Sequence, residues 1–166
     1  MLYFVALKFQ FSEKLSMHQE RSMELYLDRQ LIIKMIDHLT TQAGIQNIIH
    51  DAIKYLALED IIILNPKVDF EHFQHNDIWH YMKNNIHDIE LDLAAHKLLK
   101  RQINENTDDA KQIFIQYLDD KQKHWIIIYV ESVAHKLNKH DLEIMTNAIT
   151  PLLKIAHTNI IKHSYS

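Results

Sequence analysis

Apolar residues recur at helical intervals along most of the chain. Leu25, Ile32, Ile36 and Leu39 follow Ser16 and Gln19, which have capping-box spacing, so a first helix is predicted from about residue 12 to residue 39. Thr40-Thr-Gln-Ala-Gly44 ends it. Ile45, Ile48, Ile49, Ala52 and Leu56 mark one face of a second helix, which stops at Asn65-Pro66 because proline disfavours helix in the residue before it. Ile78, Met82, Ile86, Ile89 and Leu93 form the apolar stripe of a third helical region from Asp69 to about Ile103, with Asn84-Asn85 as its kink. Asn104 to Asp109 is polar throughout and reads as a surface loop, with Thr107 capping a helix that begins near Asp108. A last helix carries Leu142, Met145, Ile149, Leu153, Ala156 and Ile160, and Pro151 bends it or restarts it after a Thr150 cap.

Three segments do not fit this pattern. Leu2–Phe9, Ile61–Leu64 and Trp125–Val130 are dense in the β-branched and aromatic residues that strands favour, and short apolar runs do not distinguish a buried strand from a buried helix. Glycine content is the arbiter here, since Gly44 is the one glycine in 166 residues and hairpin turns draw on residues that accept positive φ. The expectation is therefore an all-α bundle of about five to six helices, with at most a minor short β element, in a single domain over residues 1–166. Ile32, Ile36, Ile49, Ile86, Leu93, Ile149 and Leu153 lie at the centres of the stripes and are the expected core.

Residues 1–11 are apolar except at Lys8 and Gln10, yet too short to span a bilayer, and no basic region or small-residue cleavage site accompanies them. This segment is expected to dock on the domain or at an interface. The absence of cysteine removes disulfides, thiol nucleophiles and thiolate metal sites, and fits a cytoplasmic protein. A net charge of −4 provides no general attraction to nucleic acid. The densest basic group, Lys97, Lys100 and Arg101, reads as a solvated face near a helix C-terminus.

Thirteen histidines are the unusual feature of the composition. His72 and His75 are three residues apart, close enough on a helix for both imidazoles to reach one divalent metal such as zinc or nickel, with His80 or Glu71 as a third ligand. The same helical face is polar throughout, which is also what a solvated histidine-rich surface looks like. Asp92 with His96 and Glu131 with His135 repeat a carboxylate–imidazole spacing suited to structural hydrogen bonds within helices. No Glu-x-x-His motif of di-iron bundles and no His-x-x-x-Glu or His-x-x-x-His of hemerythrin-like proteins occurs.

The order His50, His87-Asp88, Asp141 resembles that of the helical His-Asp phosphohydrolases, which implies a metal-dependent reaction at those four residues. Leu39-Thr-Thr-Gln-Ala-Gly-Ile45 resembles the turn of helix-turn-helix DNA-binding regulators, which implies a recognition helix after Gly44; Ile48 and Ile49 stand where polar base contacts belong. No Gly-x-Ser-x-Gly elbow, Gly-rich phosphate loop or dinucleotide fingerprint is present. The sequence thus points to a small binding or regulatory protein of inhibitor, immunity or adaptor type. Such a protein acts by contact with a protein partner or with a second copy of itself, and no resident cofactor is required. The metal-binding bundle or phosphohydrolase and the DNA-binding regulator remain as alternatives.

Overall fold

A computed structural model describes residues 28–164 apart from 40, 42, 68–76, 120 and 122–124, with side chains described as far as Ile160. The apolar segment 1–11 and the pair His72 and His75 lie outside the described residues. Residues 28–38 are helical (α1), followed by α2 (Gly44–Leu56), β1 (Asp60–Leu64), α3 (Asp77–Ala95), β2 (Leu99–Ile103), β3 (Lys111–Tyr117) and β4 (Ile126–Val130). The chain ends in α4 (Lys139–Ile144), a π-helical turn (Met145–Ile149) and α5 (Thr150–Ser164).

The four strands form one antiparallel sheet in the order β1-β4-β3-β2. Among the described residues helix makes up 55% and strand 20%, so the expected all-α bundle is replaced by a mixed α/β domain. Ile61–Leu64 and Ile126–Val130, two of the three segments that resisted a helical reading, are neighbouring strands: Ile61 pairs with Tyr129 and Ile63 with Ile127. All five β4 residues are buried, because the sheet is covered on both faces. Such a strand reads as a continuous apolar run and has no alternation to betray it.

Side chains alternate between two cores. Ile61, Phe114, Ile127 and Tyr129 face α1, α2 and the α4–α5 arm, where Met35, Ile48, Ala52, Leu56, Met145, Ile149 and Leu153 meet them. Leu64, Ile113, Ile115, Ile126, Ile128 and Val130 face α3, which supplies Ile78, Met82, Ile89 and Leu93. The result is a three-layer sandwich with the sheet in the middle.

Several expected helical stretches are corrected. The third helical region ends at Ala95, and its expected continuation to Ile103 is strand β2. α3 runs through Asn84-Asn85 without a break, Asn85 donating its side-chain N–H to the Tyr81 carbonyl at 2.8 Å. Thr107 caps no helix; its hydroxyl donates to the Asn104 carbonyl at 2.7 Å inside the β2–β3 turn, and β3 follows. Asn104 and Asn106 take φ of 56° and 65°, and Ala57 takes 52° at the end of α2. Asparagine tolerates this left-handed region far better than most residues, so the hairpin forms without glycine. Counting glycines therefore undercounts the turns.

Pro151 is the second residue of α5, which opens at Thr150 directly after the π turn. It has no N–H to return to the preceding turn, and the chain passes through the π turn, where Thr150 N–H bonds Met145 O and the Thr150 hydroxyl donates to the same carbonyl at 2.8 Å. The Tyr129 and Thr150 hydroxyls lie 2.5 Å apart, joining this turn to the central strand. Burial pushes the Tyr129 phenol well above its ordinary range, and its bond to Thr150 opposes that shift only in part. No helix among the described residues is long and apolar enough to cross a membrane.

Candidate functional site

The site is built on α1 and its attachment to α2. Gly44 opens α2 with its Cα against the preceding turn: a Cβ there would stand 2.3 Å from the His38 carbonyl oxygen. Only glycine allows the two helices to approach so closely. Asp51, buried on α2, then ties α1 down, its Oδ2 lying 2.9 Å from His38 Nε2 and its Oδ1 3.2 Å from Lys34 Nζ. At the other end of α1, Asp28 accepts the Tyr55 hydroxyl, and His140 Nε2 lies 3.0 Å from Asp28 Oδ2. The Asp51 and Tyr55 contacts hold α1 to α2, and the start of α4 lies beside them at His140.

They also fix its rotation. Leu31 and Met35 point into the core, whereas Ile33 and Ile36 are 48% and 47% exposed. Ile36 was expected in the core and is instead on the outer surface; Ile32 is partly buried. Leu31-Ile32 and Met35-Ile36 create two overlapping i, i+4 stripes, and hydrophobicity alone does not choose between them. The bonds from Asp28, Lys34 and His38 do. Of the other expected core positions, Leu93, Ile149 and Leu153 are buried, and Ile49 and Ile86 are partly so.

On the outward face, Arg29 lies four residues before Ile33 and Asp37 four residues after it, and both are exposed. α1 thus presents two isoleucines between a cation and an anion. Sequence periodicity locates the helix but assigns Ile36 to the core, so it does not find this exposed apolar pair.

The other candidate residues are distributed as follows. His80 is exposed on α3 and lines a cavity with Asp77, Asn84, Asn85 and Asn104, where Asn104 donates to Asp77 Oδ2 at 3.0 Å. Among the described residues no group of three His, Cys, Asp or Glu side chains is placed to hold a metal ion. The sheet separates His87 and Asp88 on α3 from His50 on α2, and Asp141 closes a reciprocal capping box with Asn138 at the start of α4, so these four residues are not brought together. α2 buries Ile48 and Ala52 against the core and exposes His50.

The expected carboxylate–histidine pairs take other partners. Asp92 pairs with Arg101 across α3 and β2. Glu131 is buried beyond the end of β4, where it accepts Leu137 N–H at 2.9 Å and lies 3.3 Å from Lys136 Nζ. Lys97, Lys100 and Arg101 share no helix: Lys97 is in the turn before β2, and the other two are consecutive strand residues that point to opposite sheet faces.

No known protein family matches this chain, and no curated protein matches it either.

Proposed function

We propose that this α/β domain is a binding or regulatory protein that acts through protein–protein contact, and that the contact is a second copy of itself docked on the outer face of α1. The observation that carries the reading is the exposure of Ile33 and Ile36 on a helix whose opposite face is firmly anchored. Cyclic two-fold dimers use one self-complementary patch. An antiparallel pairing of two α1 helices centred on Ile33 sets Arg29 of each copy opposite Asp37 of the other, since both residues stand four positions from the centre. The isoleucines fill the middle and the charges fix the direction.

Magnitudes limit what this helix contributes. Burying a whole isoleucine is worth about 1.5–3 kcal/mol, so covering four half-exposed ones yields roughly 4 kcal/mol. Micromolar affinity needs about 8 kcal/mol. In this reading the apolar sequence of residues 2–11 supplies further contact area. Light scattering tests both parts. The full chain is expected to be a dimer at tens of micromolar, and Ile33→Glu with Ile36→Glu is expected to give a folded monomer. Deletion of residues 1–11 should weaken the dimer while the circular dichroism spectrum keeps its folded form. A monomeric full chain, or a double variant that still dimerises, contradicts the proposal.

A further inference from the structure

A cavity of about 240 Å³ opens on the α5 side of the sheet, between the end of β3 and the π turn. Gln116 forms its inner wall. This residue is 3% exposed, and its side-chain Nε2 is buried with no hydrogen-bond partner among the described residues. An unpaired buried donor destabilises a fold, whereas a leucine would occupy the same place on β3 at no such cost. Thr146, from the π turn, stands on the opposite wall, and π turns of this kind are frequent at functional sites.

The rim is cationic. Among the described residues, Lys97, Lys121 and Lys154 line it together with one carboxylate, Asp119. Asp119 Oδ1 lies 3.2 Å from Lys154 Nζ, which matches one of the three charges. Lys97 and Lys121 make no ion pair among the described residues, and both stand at the rim of the cavity that Gln116 lines.

We propose that this cavity binds a small phosphate-bearing anion. A phosphate carries a charge of about −1.5 to −2 near pH 7, which balances the two unmatched lysines. Its oxygens are strong acceptors, and one of them gives the Gln116 amide the partner it lacks. Lysine suits phosphate as a point charge, whereas planar carboxylates are typically held by the fork of an arginine, and no arginine lines this cavity among the described residues. The volume accommodates the phosphate with a few attached carbon atoms.

Isothermal titration calorimetry and thermal melting of the full chain test the proposal, with inorganic phosphate and glycerol 3-phosphate as probes and succinate as the non-phosphate dianion. Saturable 1:1 binding of a phosphate probe is expected, at least tenfold tighter than succinate and weakening with salt. Tighter binding of glycerol 3-phosphate assigns an ester as the ligand, and equal binding assigns free phosphate. Gln116→Leu is expected to melt at or above the parent temperature and to lose at least tenfold in affinity. Lys97→Gln with Lys121→Gln, both at exposed positions, should lose affinity with unchanged melting. Absence of saturable binding, succinate binding as tightly as phosphate, or parent-like affinity in the double lysine variant would overturn the proposal.

Discussion

Ile149 and Leu153 have no exposed surface and sit where the π turn and α5 press on the sheet. Replacing either with alanine removes buried methyl groups and leaves a cavity, and the expected cost is about 2–5 kcal/mol. Denaturant midpoints measure it; unchanged midpoints would mean that this face is not packed. His157, on the same helix, lies edge-on to Trp125 with ring centroids 4.2 Å apart, and burial lowers its pKa from the ordinary 6.5. The neutral form is therefore favoured in the folded state. The unfolded chain binds the proton more readily, so the contribution of His157 is full above pH 6.5 and is lost as the pH falls from there through the lower folded value. Melting temperature against pH should accordingly drop less steeply below 6.5 in His157→Phe, which retains a ring against Trp125. Equal slopes would refute that assignment. Residues such as Ile149 and Leu153 were legible in the sequence because a single stripe runs through them. Ile36 was not, because its stripe competes with that of Met35 and polar bonds distant in sequence decide the outcome.

At the scale of elements, the helices with one unambiguous stripe were legible: α3 buries Ile78, Met82, Ile89 and Leu93 as its spacing requires. The strands were not. β4 is apolar on both faces, and the β2–β3 turn uses Asn104 and Asn106 where glycine is customary. Composition overruled local β-propensity at Ile61–Leu64 and Trp125–Val130, and propensity was the better guide. The junction of α1 and α2 makes its own prediction. Gly44→Ala drives a methyl group onto the His38 carbonyl, a backbone atom that does not rotate away. A loss of about 1–3 kcal/mol is expected, the range for overpacking a tight contact. Urea unfolding checks it, and a neutral effect would show that the two helices separate easily.

For the whole molecule, the sheet does what neither helical layer does alone: it gives each layer a separate core and so fixes α1 on the outside of one of them. That architecture was not legible, since it depends on the pairing of β1 with β4 across more than sixty residues of sequence. The central claim is that the outer face of α1 meets its own copy about a two-fold axis at Ile33. The chain contains no cysteine, so one introduced thiol reports on one position without background. Packed helices lie about 8–10 Å apart, which brings facing Cα atoms within the roughly 4.4–6.8 Å that a disulfide spans. Ile33→Cys, mildly oxidised at micromolar concentration, should convert to a covalent dimer on a non-reducing gel, whereas Val133→Cys, 77% exposed in the loop after β4, should stay largely monomeric. Failure of Ile33→Cys to cross-link, or cross-linking no faster than Val133→Cys, would contradict the assignment of α1 as the interface.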